Sequence, residues 1–287
     1  FNWGLTLYKN TGTNAHPEYT WITDDYQGLS SLQRYSLAPT FGDIDMDGDD
    51  DLLLGVSTGE ILWFENTAGS GQPASFDLNY KTLSGLQTVN SFPTPQIVDV
   101  NKDGYPDVIS GSFDGRAYYF ENLKQTTPQF QETSAFWGEV LVKEPGGFAG
   151  YSTPKLADID KDGEWELVSG SYSGKVFYYD EIENNLTTGA FELESMQFLP
   201  TLGQRTTVAV HDVTQDGRPE YAMGNTRGGL ALYTSTAPSG IESPEQIDVT
   251  IFPNPAQGQV TINAQEFITG EVALYDLSGK LVLDADM

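Results

Sequence analysis

The sequence contains no cysteine and is poor in basic residues, with 14 lysines and arginines against 41 aspartates and glutamates. The lack of cysteine excludes disulfides, thiolate catalysis and cysteine-ligated zinc. The formal net charge of -27 would repel a phosphate backbone, so we expect no nucleic acid partner. No apolar run reaches the roughly 18 residues of a membrane-spanning helix, so we expect no membrane span.

Aromatic residues and turn-forming residues are abundant, with 15 Phe, 15 Tyr, 5 Trp, 30 Gly and 15 Pro. No segment shows a sustained helical period, and short alternating segments are separated by glycine and aspartate. This composition favours an all-β protein.

One sequence unit occurs four times. Each copy has an acidic loop, a strand, a small-residue turn and an aromatic strand. The copies are FGDIDMDGDDDLLLG from Phe41, IVDVNKDGYPDVISG from Ile97, LADIDKDGEWELVSG from Leu156 and VHDVTQDGRPEYAMG from Val210. Their first acids, Asp43, Asp99, Asp158 and Asp212, are 56, 59 and 54 residues apart. A repeat of this length predicts stacked supersecondary units.

Each unit holds about four short strands, because further strand-like segments occur near Tyr19, Phe76, Phe130 and Phe191. Four-stranded antiparallel sheets repeated at this period are typical of propeller blades, which bury both faces against their neighbours. The predicted fold is therefore all-β: a β-propeller of four-stranded blades, incomplete in this chain, followed by a small β-sandwich-like C-terminal domain.

The predicted propeller covers residues 1–236, with a partial blade at 1–35 and units that begin near 37, 92, 151 and 206. A Pro/Ser linker at 237–247 precedes the C-terminal domain at 248–287. Residues 1–12 match only the end of a unit, and the fourth unit lacks an outer strand. We therefore expect further blades upstream of this sequence.

The four loops share the pattern D-x-[DNT]-x-D-G-x-x-[DE], which places oxygen ligands around a tight turn. Calcium takes six to eight oxygens, and the glycine permits the sharp reversal. The predicted ligands are Asp43, Asp45, Asp47, Asp49 and Asp51 in loop 1; Asp99, Asn101, Asp103, Tyr105 and Asp107 in loop 2; Asp158, Asp160, Asp162, Glu164 and Glu166 in loop 3; and Asp212, Thr214, Asp216, Arg218 and Glu220 in loop 4. At position seven, the residue contributes its carbonyl. We expect up to four calcium ions.

Two alternative interpretations of these loops are an EF-hand and an ordinary Asp-Gly hairpin turn. An EF-hand requires glutamate at position twelve, where this sequence has Leu54, Ser110, Ser169 and Met223. Hairpin turns would not keep an acid at position nine in four consecutive copies.

The loops and the flanking G…GxxxxFxN strands resemble the FG-GAP/VCBS repeats of integrin-like propellers over roughly residues 1–233. The resemblance implies that the calcium loops lie on one rim. It also implies that the opposite rim or its long loops bind proteins or glycans. The segments Gly28–Tyr35 and Gly146–Tyr151 are candidate loops for such binding.

The C-terminal segment resembles the type A C-terminal sorting domain of the type IX secretion system, on Pro253-Asn254-Pro255 and the Tyr275–Lys280 segment YDLSGK. The alternative is an unrelated small β-sandwich. The resemblance implies handling of residues 248–287 by the type IX machinery. It implies secretion or display on the outer surface of a Gram-negative Bacteroidetes-type bacterium. The expected final Gly-Tyr strand is missing, so we expect a truncated domain.

No catalytic motif accompanies His16 or His211, and most recurrent acids already have a place in the loops. We expect a non-catalytic binding propeller whose ligand is a glycan or a protein. One alternative is an accessory or catalytic domain of an extracellular polysaccharide-degrading enzyme, which would need unique acids in a concave site. Another is a purely structural spacer.

Overall fold

The computed structural model describes residues 3–13, 18–86, 89–125, 127–215 and 217–234, and the backbone of four strands between 249 and 286. The chain divides into two compact units, Phe1–Ile241 and Glu242–Met287. The predicted linker at 237–247, the motif Pro253-Asn254-Pro255 and residues 276–280 of the second motif lie outside the described residues.

The first unit consists of consecutive antiparallel sheets. Its strands are β1 (Leu7–Asn10), β2 (Tyr19–Thr23), β3 (Ala38–Gly42), β4 (Asp51–Gly55), β5 (Ile61–Phe64), β6 (Thr94–Val98), β7 (Asp107–Gly111), β8 (Ala117–Asn122), β9 (Phe130–Ser134), β10 (Thr153–Ala157), β11 (Glu166–Gly170), β12 (Val176–Asp180), β13 (Glu192–Ser195), β14 (Thr207–His211), β15 (Glu220–Gly224) and β16 (Leu230–Thr234). Strand order within every sheet follows the sequence.

The sheets correspond to the predicted blades. Strands β6–β9 and β10–β13 form complete four-stranded blades, β3–β5 and β14–β16 form three-stranded sheets, and β1–β2 form a pair. This all-β architecture confirms the predicted fold, with blades that make part of a propeller. The second unit contributes two antiparallel hairpins, β17 (Val249–Phe252) with β18 (Thr261–Ala264), and β19 (Glu271–Tyr275) with β20 (Leu281–Asp286).

Helical structure in the described residues is limited to three 3₁₀ segments, Tyr26–Leu32, Trp137–Glu139 and Glu183–Asn185. None of these segments has the length and apolar character that crossing a lipid bilayer requires.

The strand predicted near Phe76 is absent from the described part of the first three-stranded sheet, so this prediction was wrong. Only isolated bridges form there, between Asn66 and Phe76 and between Trp63 and Lys81. The Asp77 carboxylate accepts hydrogen bonds from the backbone and side-chain amides of Asn79. Such local side-chain bonds offer the backbone an alternative to the sheet ladder.

In the second strand of a blade, alternate residues pack against the preceding and the following blade. In β4, Leu52 and Leu54 pack in one cluster while Leu53 packs in the next. In β7, Val108 joins the cluster shared with β4 and Ile109 joins the cluster shared with the following blade. Strands with a two-residue period are buried on both faces only when sheets stack face to face. The core therefore lies between the blades.

A glycine ends the second strand of each of the four repeats, and in the first three repeats it lies against the next blade. These glycines are Gly55, Gly111, Gly170 and Gly224. A Cβ at Gly111 would overlap the carbonyl oxygen of Ser152 in the following blade, and one at Gly170 would overlap that of Thr206. The backbones of neighbouring blades are thus in direct contact at this position.

We expect Gly111→Ala to destabilise the protein by about 2–3 kcal/mol, because backbone must move to admit the methyl group. The matched control is Gly224→Ala at the same repeat position. Its added Cβ would meet only the Thr207 hydroxyl, at 3.4 Å. Thermal unfolding followed by circular dichroism should show a melting temperature about 5–10 °C lower for Gly111→Ala alone. Equal losses in the two variants would contradict this account.

Candidate metal centre

The four acidic loops share one backbone geometry. In loops 1 and 2 the position-one carboxylate accepts the amides of positions five and six, at 2.7–3.0 Å. Position four is left-handed in every loop, with φ of 63° at Met46, 55° at Lys102, 68° at Lys161 and 59° at Gln215. The glycine at position six is also left-handed, with φ between 88° and 96°. These two left-handed residues, separated by position five, let the backbone reverse tightly around the acids.

Loop 1 brings three carboxylates together. One oxygen from each of Asp43, Asp45 and Asp47 lies within 4.8 Å of the others. Buried oxygens without a hydrogen-bond partner occur on Asp45, Asp49 and Asp51. The Asp49 side chain is itself buried, and its other oxygen accepts the amide of Gly69 at 2.9 Å. All donors in this loop are oxygens, which suits a hard divalent cation.

Loop 3 also converges, through Asp158, Asp160 and Glu166, whose oxygens lie within 4.8 Å of one another. A buried oxygen of Asp158 has no hydrogen-bond partner. Asp162, a predicted ligand, is exposed and accepts the amide of Glu164 at 2.8 Å. This loop therefore gathers positions one, three and nine.

Loop 2 differs because a lysine reaches its position-five acid. The Lys124 ammonium lies 2.8 Å from Asp103 and 5.7 Å from the centre of the Tyr105 ring. The pKa of Asp103 is lowered, because bonds from Lys124, the Tyr105 amide and Asn101 together outweigh the effect of burial. The loop thus carries a cation of its own.

Loop 4 is bonded within itself. Thr214 donates its hydroxyl and amide to Glu220, at 3.2 and 3.1 Å, and Asp212 accepts the amide of Gly217 at 2.9 Å. Arg218 follows that glycine at position seven. Asp216 and His16 lie outside the described residues, and His211 is an exposed residue of β14.

The acid at position nine begins the second strand of each blade and is buried. Asp51, Asp107, Glu166 and Glu220 are each at most 2% exposed. In loops 2, 3 and 4 this carboxylate accepts the position-two amide, from Val100, Ile159 and Val213. Each of these bonds ties the loop to the strand that follows it.

Two asparagines complete this anchor, and they were missed by the sequence reasoning. The amides of Asn66 and Asn122 donate to Asp51 and Asp107 at 2.7 and 2.8 Å. The Asn122 side chain also donates to the Pro106 carbonyl. The asparagine is the last residue of the repeated FxN pattern, and this repetition is its signal in the sequence. The intervening Glu65 pairs with Lys81 at the surface.

Burial raises the pKa of Asp51, Asp107 and Glu166. It raises the pKa of Asp51 to about 7 and that of Asp107 to about 6. The pKa of Glu166 rises to about 8, through burial and the nearby charges of Asp160, Asp180 and Asp162. Burial and the charge of Asp47 likewise raise the pKa of Asp45. Clustered carboxylates without a counter-charge therefore favour protonation.

We expect the melting temperature of the protein in EDTA to fall between about pH 5 and about pH 8. The folded pKa values lie above the unfolded values of about 3.9 for Asp and 4.3 for Glu, so the native state binds more protons in this window. The stabilising contribution is complete below about pH 4 and is lost as the pH rises through the folded values. Thermal unfolding across this range tests the expectation.

Comparing the wild-type protein with Glu166→Gln controls for general charge repulsion, because that repulsion acts in both. The variant removes one group of raised pKa, so its melting temperature should change less steeply with pH. A parallel pH dependence in the two proteins would contradict a role for Glu166.

The comparisons with known proteins identify two segments of this chain. No curated protein matches the chain. Among solved structures it is similar to one described as the structural basis of specific recognition of non-reducing terminal N-acetylglucosamine by an Agrocybe aegerita lectin. The identity is 15%, the TM-score is 0.41, and the match covers 99% of this chain and 74% of that one.

Family models match residues 99–169 as an FG-GAP-like repeat and residues 250–287 as a secretion system C-terminal sorting domain. The first match begins at the first acid of loop 2 and extends through loop 3 into β11. The second begins at the second residue of β17 and extends through β20. The chain therefore contains an FG-GAP-like propeller repeat and a type IX C-terminal sorting domain, and it is a secreted or cell-surface protein.

Proposed function

We propose that this protein is a calcium-stabilised β-propeller that binds an extracellular glycan without catalysing a reaction, and that the type IX machinery exports it through residues 248–287. Loops 1 and 3 are the principal calcium sites in this proposal. The glycan contacts the end of the blades opposite those loops.

The observation that carries the calcium proposal is the set of buried carboxylate oxygens without partners in loops 1 and 3. Burying an unpaired charge is strongly unfavourable, and a cation among these oxygens would remove the penalty. Asp43, Asp45, Asp47 and Asp51 would hold the ion in loop 1. Calcium would supply charge neutralisation and order to the loop; no chemical step is assigned to it.

The glycan proposal is supported by a cleft of about 410 Å³ at the start of the inner strands β3, β6, β10 and β14. The acidic loops follow the other end of the same strands. Threonine, serine and asparagine line the cleft beside aromatic rings. Hydroxyls, amides and ring faces are the groups that recognise sugars in water.

A glycosidase would need two carboxylates about 5–10 Å apart on either side of the scissile bond. The part of the cleft wall that the structure describes holds neither aspartate nor glutamate. This composition favours binding over hydrolysis at the cleft.

We expect isothermal titration to find two tighter calcium sites. At about 1 mM calcium and dissociation constants of ~0.1–1 mM, each site adds roughly 0.4–1.4 kcal/mol of stability. Asp45→Ala should remove one of the two sites. Asn101→Ala, the matched change at position three of loop 2, should leave both unchanged. Loss of a tighter site in Asn101→Ala with none lost in Asp45→Ala would contradict the assignment.

The ammonium of Lys124 should compete with a cation in loop 2. We therefore expect Lys124→Gln to strengthen calcium binding at that loop, seen as an additional site in the titration. An unchanged number of sites and unchanged affinities would argue against this competition.

A glycan array probed with the whole chain, in calcium and in EDTA, tests the binding proposal. We expect glycan binding in calcium. If no glycan binds while calcium still raises the melting temperature, the glycan part is wrong. A protein ligand or a structural spacer then becomes the better description.

A further inference from the structure

Three large side chains occupy a repeat position whose backbone is left-handed. Phe92, Tyr151 and Arg205 each lie seven residues before the first acid of their loop, with φ of 51°, 47° and 51°. Each backbone amide donates to the small-residue turn of the preceding blade, on Ser57, Phe113 and Tyr172. These bonds explain the conformation, but they do not require a large side chain.

Ser36 occupies the same repeat position with φ of 53°, so the fold accepts a small residue there. A left-handed residue with a large side chain is less favourable than glycine. The size and chemistry of these three side chains therefore need a reason other than the backbone, and strained positions of this kind cluster at ligand sites.

The rings at these positions join others into one surface. The ring centres of Tyr151 lie 5.2 Å from Phe92, 4.9 Å from Phe113 and 5.7 Å from Tyr172. Phe148 extends the row from Phe113, at 5.4 Å. We call these five residues and Arg205 the aromatic cleft. Phe148 and Tyr151 belong to the segment Gly146–Tyr151, one of the loops predicted to bind.

Much of this surface faces water. Phe148 is 85% exposed and Tyr172 is 40% exposed. Four rings, two from turns and two from left-handed positions, belong to different blades, so the surface exists only where blades meet. A contiguous exposed aromatic surface marks an interaction site more often than a single exposed ring does.

Arg205 supplies the cleft with a positive charge. Its guanidinium carbon lies 4.2 Å from the ring centre of Tyr151 and 5.7 Å from that of Phe92. The ion pairs found among the described residues do not include Arg205. The guanidinium lies over both rings, and such a cation–π contact does not use up its N–H groups, which can donate to a ligand.

The acids nearest this surface in the sequence are already paired. Asp114, next to Phe113, pairs with Arg116, and Glu144 pairs with Lys175. In a chain of net charge -27, Arg205 is a local exception, because the cleft of about 410 Å³ that it lines with Phe92 and Tyr151 has no carboxylate in its described wall. Its charge complements an anion.

We propose that the aromatic cleft binds an acidic sugar, a pyranose that carries a carboxylate or a sulfate. The C–H face of the ring stacks on Tyr151 and its neighbours, and the anionic group accepts hydrogen bonds from Arg205. This proposal rests on the glycan-binding function above and names the class of sugar.

The test measures binding of tri-galacturonate to the whole chain by isothermal titration. The matched probes are its methyl ester, which keeps the ring and removes the charge, and a sulfated galactan trisaccharide. We expect one acidic probe to bind at least about tenfold more tightly than the ester. Binding by the sulfated probe alone would identify the anion as sulfate and support the proposal. Equal affinity for the ester and both acidic probes would overturn it.

Arg205→Gln should weaken binding of the acidic probe about tenfold, and Arg205→Lys should recover part of the loss. The control Lys81→Gln removes a cation paired with Glu65 outside the cleft and should leave the affinity unchanged. Melting temperatures check that the variants are folded. Unchanged affinity in folded Arg205→Gln would overturn the assignment.

The calcium dependence of sugar binding distinguishes a failure of this inference from a failure of the calcium proposal. Because the cleft and the loops lie at opposite ends of five-residue strands, about 15 Å apart, binding of the acidic sugar should survive EDTA below the melting temperature. If calcium binds and no acidic sugar does, the cleft proposal fails alone. If the sugar binds and no calcium does, the metal proposal fails alone.

Discussion

The buried carboxylate at the start of each second strand is the constraint on which the blades depend. Each blade places an ionisable oxygen pair, from Asp51, Asp107, Glu166 or Glu220, where water does not reach. Backbone amides from the loop, from Asn66 just after β5 and from Asn122 at the end of β8 converge on these oxygens. The loop, the second strand and the third strand are thereby joined at one point. Neighbouring acids then raise the electrostatic penalty that a cation would relieve.

The two ends of the blades therefore have different tasks. The acidic end concentrates negative charge into turns whose shape the backbone amides fix. The opposite end joins successive blades by backbone hydrogen bonds between turns, as from Tyr151 to Phe113 and from Arg205 to Tyr172. The side chains of Tyr151 and Arg205 can vary without loss of these bonds, because the bonds use main-chain atoms. A binding surface can thus change while the repeat is kept.

The sequence predicted the repeat, the blade strands and the loops well, since spacing and alternation are local properties. Three features depended on the folded chain. Lys124, which follows the last residue of β8, reaches Asp103, and loop spacing does not reveal this contact. The strand predicted near Phe76 does not form, because the Asp77 carboxylate accepts a local hydrogen bond from the Asn79 amide. The equal spacing of Phe92, Tyr151 and Arg205 is visible in the sequence, but their contact follows only from blade stacking.

The most direct measurement of the central claim is a crystal structure grown in calcium, with anomalous scattering used to locate the ions. The account predicts calcium peaks among Asp43, Asp45 and Asp47 in loop 1 and among Asp158, Asp160 and Glu166 in loop 3. Well-ordered loops with no peak at either position, at millimolar calcium, would contradict it.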